Sequence, residues 1–116
     1  GPIKTLAQIG GIEIAALVGY ILRAASLQIP VVLDGVITLA AAVIAKAINP
    51  DLSQFLIAGH CSSEPGSRIA IAHLGLQPIL DLELRLGEGT GALLSIPIIR
   101  SACQALSRMA RISDLL

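Results

Sequence analysis

Aromatic residues are nearly missing from this chain of 116 residues, which contains one Tyr, one Phe and no Trp. The hydrophobic core must therefore be built from aliphatic side chains, and few rings are available to stack on nucleobases. Eight basic and eight acidic residues cancel, whereas a nucleic-acid interface usually shows a clustered excess of Lys and Arg. The composition therefore argues against nucleic acid as a partner.

Charged residues are also scarce, at 14% of the chain, while hydrophobic residues make up 54%. Such an apolar composition raises the question of a membrane span, which needs about 20 nearly uninterrupted apolar residues. The two most apolar stretches, residues 9–25 and 31–48, each contain an acidic and a basic residue. We therefore expect no membrane-spanning segment, and the first residues lack the pattern of a secretion signal.

Cysteine is represented only by Cys61 and Cys103, which are too few for a disulfide framework. We expect reduced thiols and a cytoplasmic protein. No Cys-x-x-Cys motif occurs, and His60 and His73 lack the spacing of metal ligands, so we expect no metal site. His60 and Cys61 are neighbours on a strand-like stretch, where consecutive side chains point to opposite faces and cannot readily form a catalytic dyad.

Helical and strand-like patterns alternate along the chain. The helical patterns cover residues 3–25, with a break predicted at Gly10 and Gly11, and residues 36–48, 67–74 and 91–111. Short apolar runs typical of buried strands cover residues 29–33 and 55–58. A third strand is predicted at residues 78–84, where Asp81 and Glu83 lie two apart on one face. This alternation predicts the α/β class, with a three-layer arrangement in which helices cover both faces of a parallel sheet. Its outer strands are apolar, so we expect it to be part of a larger sheet or to pair with another chain.

Each predicted strand ends in a turn that contains glycine and polar residues, namely Asp34-Gly35, residues 62–66 and residues 87–89. The carboxyl ends of parallel strands lie at one edge of a sheet, where α/β proteins usually bind ligands. Ordinary turn chemistry explains any one of these turns, but three at one edge favour a ligand-binding cleft. None of them matches a phosphate-binding loop or a dinucleotide fingerprint.

Glu88 is the most informative residue, because it is a single carboxylate between Gly87 and Gly89 directly after a predicted strand. Glycine on both sides permits backbone angles that other residues resist and lets a ligand approach closely. A second interpretation is that the charge of Glu88 only stabilises the start of the following helix, for which Thr90 is the predicted N-cap.

Four motifs together resemble a known family. They are Leu-Gly-Glu-Gly-Thr-Gly-Ala at residues 86–92, His-x-Ser-x-Glu-Pro-Gly at 60–66, Val-Leu-Asp-Gly at 32–35 and Gly-Gly-Ile-Glu-Ile-Ala at 10–15. In this order they resemble the carboxyl-terminal half of the nicotinate-nucleotide–dimethylbenzimidazole phosphoribosyltransferases. The resemblance covers nearly all of residues 1–116 as a single α/β segment of the catalytic domain, and it implies a Rossmann-like parallel sheet.

The resemblance also implies a reaction, which uses no cofactor and belongs to the assembly of the lower ligand of cobalamin. Phosphoribose would move from nicotinate mononucleotide to 5,6-dimethylbenzimidazole, and Glu88 would be the general base that takes a proton from the azole. Burial beside Leu86 and the following helix would raise the basicity of this carboxylate. The residues implied in substrate binding are Asp34, Gly35, Ser62, Leu86, Gly87 and Gly89.

The chain departs from the family in its length. The amino-terminal half of the family, which carries a phosphate-binding loop, a second active-site acid and a lysine near the phosphate, has no counterpart in this sequence. We therefore expect the isolated chain to have little or no transferase activity, because lost positioning groups cost several orders of magnitude in rate. Either a homodimer or a missing amino-terminal half is expected to complete the site.

Two other functions remain open from the sequence alone. One is a non-catalytic α/β assembly module that dimerises through an apolar sheet edge, which an obligate dimer without ligand affinity would favour. The other is a small hydrolase that uses His60, Cys61 or Ser62. Thiol alkylation that leaves ligand binding intact would count against this hydrolase.

Overall fold

The computed structural model of the chain describes residues 1–116, and it belongs to the α/β class that the alternating patterns predict. The elements are α1 (Pro2–Ile9), α2 (Ile12–Ser26), β1 (Val31–Leu33), α3 (Val36–Ile48), a 3₁₀-helix (Pro50–Phe55), β2 (Leu56–Ala58), α4 (Pro65–Leu74), α5 (Thr90–Arg108) and α6 (Ile112–Leu115). The predicted break at Gly10 and Gly11 is confirmed, because α1 ends and α2 begins on either side of these two residues. The chain therefore turns from one helix into the next without a strand between them.

The regular sheet consists of β1 and β2, which are parallel, with Val31 opposite Leu56 and Leu33 opposite Ala58. Helix α3 lies between them in the sequence and provides the crossover that parallel neighbours require. The carboxyl ends of both strands therefore lie at the same edge of the sheet. Asp34 follows directly after β1, and His60 lies two residues beyond the end of β2.

The third predicted strand, at residues 78–84, is wrong as a regular strand. This segment does run parallel to the end of β2, because the N–H of Ile79 donates to the carbonyl of Ala58 at 2.9 Å. It makes a single isolated bridge, between His60 and Leu80. Glu83 has a φ of 56°, in the left-handed region, which no regular strand contains, so extended pairing stops before the end of the segment.

The core is aliphatic, as the shortage of aromatic residues predicts. Its buried side chains come mainly from Leu, Ile, Val and Ala, together with Cys61. Helix α3 lies at its centre and contacts α1, α2 and α4. The fully buried residues on this helix are Leu39, Ala41, Ala42 and Ala45. Small alanine side chains on α3 leave room for the neighbouring helices to pack against it.

The carboxyl-terminal part of the chain lies away from this core. Residues 101–116, which include the second half of α5 and all of α6, are exposed, and the molecule is elongated with extents of 60 × 31 × 21 Å. Several of these exposed residues are large and apolar, including Leu106 at 90% and Ile112 at 77% exposure. None of the helices has both the length and the apolar character that a membrane crossing requires.

Candidate active site

A cleft of about 580 Å³ opens at the carboxyl ends of the strands. It is lined by residues from all three turns that the sequence places at this edge, so the predicted convergence of these turns is observed. The lining includes every residue that the sequence singles out for catalysis or substrate binding: Asp34, Gly35, Ser62, Leu86, Gly87, Glu88 and Gly89. Apolar walls are contributed by Val32, Val36, Ile37, Leu84 and Ala92.

The turn that carries Glu88 has an unusual backbone. Gly87, Glu88 and Gly89 have φ angles of 67°, 55° and 80°, so three consecutive residues adopt the left-handed region. This conformation suits glycine, but it costs a residue such as Glu about 1–2 kcal/mol. The turn is closed by a bond from the N–H of Thr90 to the carbonyl of Gly87, at 3.0 Å. The flanking glycines are therefore required by this geometry. The rest of the turn holds Glu88 in a left-handed conformation that is unfavourable for a residue with a side chain.

Asp34 holds the other end of this turn. Its Oδ2 accepts the backbone N–H of Gly89, and its Oδ1 accepts the backbone N–H of Ala92, each at 3.1 Å. The predicted N-cap Thr90 is wrong, because Gly89 occupies the N-cap position of α5 and offers no side chain for the role. The carboxylate of Asp34 supplies the missing acceptor and places a negative charge at the start of this long helix, where the helix dipole favours it.

His60 forms a hydrogen bond with the carboxylate of Asp34. Its Nε2 lies 3.0 Å from Oδ1 of Asp34, and the residue is only 3% exposed. The ring packs so closely on Gly91 that a Cβ at that position would overlap it. The Nδ1 atom is buried and has no hydrogen-bond partner. The sequence analysis does not predict the contact between His60 and Asp34, although each of these residues closely follows a predicted parallel strand.

Cys61 takes no part in the cleft. It is 1% exposed, belongs to the hydrophobic core, and does not line the cavity. Its Sγ contacts the carbonyl oxygen of Ser62 at 3.7 Å. A sealed thiol is a poor nucleophile for an external substrate, so the geometry disfavours the hydrolase interpretation for this residue.

Arg85, which directly precedes Leu86, also lines the cleft. Its Nε lies 2.8 Å from Oε1 of Glu64, so the cleft contains a cation that is already paired. A separate ion pair, between Arg68 and Asp81 at 2.9 Å, lies beside the cleft. The hydrogen bond and charge of Asp81 raise the pKa of the Arg68 guanidinium above its ordinary value.

The surroundings of Glu88 are more open than the sequence predicts. Glu88 is exposed, and Leu86 is 68% exposed, so the burial expected between Leu86 and the following helix is not supplied by this chain. The site therefore offers an accessible carboxylate on a fixed turn, beside apolar walls. Such an arrangement suits a small planar ligand that presents an N–H group to the carboxylate. No group of three or more His, Cys, Asp or Glu side chains is arranged to hold a metal ion.

Comparison with known proteins defines the class of protein. A family model described as phosphoribosyltransferase matches residues 1–114, and the chain belongs to this family. Its relatives include two proteins named nicotinate-nucleotide–dimethylbenzimidazole phosphoribosyltransferase. The one from Desulforudis audaxviator is 48% identical over 97% of this chain and 32% of its own length. The one from Salinispora tropica is 50% identical over 94% of this chain and 30% of its own length.

Solved structures agree with this assignment. A crystal structure of the phosphoribosyltransferase of the same name from Thermus thermophilus superposes with a TM-score of 0.92 and 44% sequence identity. The match covers 97% of this chain and 34% of that chain. The Rossmann-like α/β fold class is thereby confirmed. The chain spans about a third of the length of the relatives that it matches.

Proposed function

We propose that this chain forms the azole-binding part of a nicotinate-nucleotide–dimethylbenzimidazole phosphoribosyltransferase, as one carboxyl-terminal segment, residues 1–116, of a longer catalytic domain. The observation that carries the proposal is the position of Glu88. Glu88 lines the cleft on a turn that Asp34 holds through the backbone N–H of Gly89. The similarity to enzymes of that name over nearly the whole chain supports the same function. The reaction would take place in the cytoplasm, in the assembly of the lower ligand of cobalamin.

Glu88 acts as general base in this proposal. One nitrogen of 5,6-dimethylbenzimidazole attacks the anomeric carbon of nicotinate mononucleotide while the N–H proton on the other nitrogen passes to the Glu88 carboxylate. A new nitrogen–carbon bond forms, and the bond to nicotinate breaks with inversion at the anomeric carbon. The bonding electrons return to the pyridinium nitrogen, which becomes neutral, so the leaving group needs no acid. The products are α-ribazole phosphate and nicotinate, and base catalysis of this kind contributes about 10²–10⁴-fold.

The other lining residues shape the two halves of the cleft. Leu86 provides an apolar wall for the azole ring, and Gly87 and Gly89 let the ring approach the backbone closely. Gly35 and Ser62 lie on the side of the cleft assigned to the nucleotide and nicotinate. Binding of the 5′-phosphate is assigned to the part of the relatives that lies outside the matched third, or to a second copy of this chain in a homodimer.

A chimeric enzyme provides the test of this function. The 116 residues replace the matching segment of the Desulforudis audaxviator enzyme, and formation of α-ribazole phosphate is followed by chromatography. We expect activity in this chimera and a loss of about 10²–10⁴-fold in kcat for Glu88→Gln. Asp51→Asn, which changes an exposed acid in the 3₁₀-helix, is the matched control and is expected to leave kcat unchanged. Equal activity of the Glu88→Gln and parent chimeras would contradict the assignment of the base.

Calorimetry of the chain by itself gives the second measurement. Titration with 5,6-dimethylbenzimidazole is expected to show saturable binding that weakens in Glu88→Gln, because the azole N–H loses a charged acceptor. Equal binding by both proteins would remove Glu88 from ligand recognition. Absence of binding by both would assign the azole pocket to residues outside this chain and contradict the proposal that the chain forms it.

A further inference from the structure

The start of α5 is capped from a distant part of the sequence. Gly89 has no side chain that could accept a bond from the first turn of the helix. Asp34, which lies 55 residues earlier than Gly89, accepts that N–H and the N–H of Ala92 with its two carboxylate oxygens. Both N–H groups belong to the segment that begins directly after Glu88. The orientation of the Glu88 side chain therefore depends on Asp34.

We propose that Asp34 is the positioning residue for Glu88 and that His60 holds the Asp34 carboxylate in place; the inference rests on the proposed function of Glu88 as the base. Three successive left-handed residues form the 87–89 turn, and such a turn persists only where its surroundings fix it. The Thr90–Gly87 bond closes the turn internally. Asp34 attaches the closed turn to the end of β1, which pairs with β2 in the parallel sheet.

The carboxylate of Asp34 is occupied by the protein. Three donors converge on it, namely the N–H groups of Gly89 and Ala92 and the Nε2 of His60. Its side chain is only 11% exposed. A carboxylate whose oxygens already accept three hydrogen bonds within the protein acts on a substrate indirectly, in this case by positioning Glu88. The role proposed for Asp34 therefore differs from the direct substrate contact that the resemblance implies.

His60 completes the arrangement from the end of β2. Its ring lies against Gly91 on one side and bonds Asp34 through Nε2, so it is wedged between α5 and the end of β1. An amide cannot replace the carboxylate in this position. Asn at position 34 would turn one NH₂ group toward N–H donors, because both oxygens of Asp34 now accept hydrogen bonds.

Amide hydrogen exchange in the chain itself tests whether Asp34 holds the 87–89 turn in place. In Asp34→Asn, the amides of Gly89 and Ala92 are expected to exchange about 10- to 100-fold faster, the change expected for loss of a hydrogen bond to a charged group. The amide of Leu80, which donates to the carbonyl of Gly59 at 3.1 Å, reports on the rest of the sheet edge and is expected to keep its rate. Asp51→Asn is the control for the chemical change.

Two variants of His60 extend this test. His60→Ala removes the donor and is expected to accelerate exchange at Gly89 and Ala92. His60→Gln retains an N–H donor near the position of Nε2 and is expected to restore slow exchange. Equal acceleration at Leu80 in Asp34→Asn would mean a general loss of stability and would overturn the proposal, and so would unchanged rates at Gly89 and Ala92.

The chimeric enzyme connects the attachment to the reaction. Asp34→Asn is expected to lower kcat at least tenfold, with a smaller change in KM for nicotinate mononucleotide, because the base is displaced while nucleotide contacts remain. In the Glu88→Gln background the same substitution is expected to have little further effect on kcat. Additive losses would overturn the claim that Asp34 acts through Glu88. If Glu88→Gln alone is fully active, the proposed function fails, whereas the exchange rates still decide the attachment.

Discussion

Arg85 and Glu64 both line the cleft and form an ion pair, with Nε of Arg85 2.8 Å from Oε1 of Glu64. The bond connects the loop that leads to Glu88 with the residue that precedes α4. The backbone supports the same connection, because the N–H of Ser63 donates to the carbonyl of Leu84 at 3.1 Å. The loop is thus attached to its neighbour by a side-chain pair and by a main-chain bond.

Removing the side-chain pair is expected to have a small effect on stability. The side chains of Arg85 and Glu64 are 70% and 38% exposed, and exposed ion pairs contribute only about 0.2–1 kcal/mol. We expect Glu64→Gln to lower the free energy of unfolding within that range, and high salt to shrink the difference. Urea denaturation at two salt concentrations measures both effects. A loss well above this range would show that the pair is more than a surface contact.

Gly91 is expected to be intolerant of any side chain. A Cβ there would overlap the His60 ring, which is buried and cannot move aside. Gly91→Ala should therefore destabilise the protein by about 1–3 kcal/mol or more. Gly19→Ala is the control, because no atom lies within 4 Å of its added Cβ, and alanine should stabilise α2 by up to about 1 kcal/mol. Chemical denaturation measures the free energy of unfolding of both variants. Equal changes in Gly91→Ala and Gly19→Ala would contradict the predicted clash with His60.

Substitutions of Glu88 are expected to separate stability from activity. Because Glu88 has a φ of 55°, Glu88→Asn should be as stable as the parent, or more stable by up to about 1 kcal/mol, since Asn tolerates this region. Glu88→Val should be less stable by about 1–2 kcal/mol, because β-branched residues resist it. Both variants lack the carboxylate and should lose activity in the chimera. Equal stability of the two would show that the left-handed turn is not maintained in solution.

The exposed apolar residues of α5 and α6 predict self-association of the chain at high concentration. Leu106 and Ile112 are 90% and 77% exposed, and such surface is rarely left uncovered. Sedimentation at increasing concentration is expected to show association that weakens in Leu106→Lys with Ile112→Lys. Azole binding should be unchanged, since neither residue lines the cleft. Association together with absent azole binding would favour the assembly-module interpretation over the enzyme.

Features with a local cause are the ones that the sequence predicts well. The break between α1 and α2 follows from two adjacent glycines. The α/β class follows from the alternation of helical and strand-like hydrophobic patterns along the chain. The meeting of the three polar turns also follows, because parallel strands end at the same edge of a sheet. For that reason the three turns that line the candidate cleft can be predicted from the sequence alone.

Features that depend on distant partners are not visible in the sequence. The cap of α5 comes from Asp34, and no pattern near Gly89 indicates it, so the local preference of Thr90 for the cap position misleads. The stretch at residues 78–84 alternates leucine with Asp81 and Glu83, which is the pattern of a half-buried strand. Its regular pairing is nevertheless limited to one bridge at Leu80, and the left-handed residue Glu83 interrupts the extended backbone beyond it.

The distant cap has a consequence for folding. Contacts between residues far apart in the sequence form late, because a long loop must close first. The bond from Gly89 to Asp34 spans 55 residues, so a long loop must close before it forms. We therefore expect the 87–89 turn to be among the last parts of the chain to become ordered. A partly folded molecule would then contain most of its helices and still lack a correctly oriented Glu88 carboxylate. Such a molecule would be unable to take a proton from an azole.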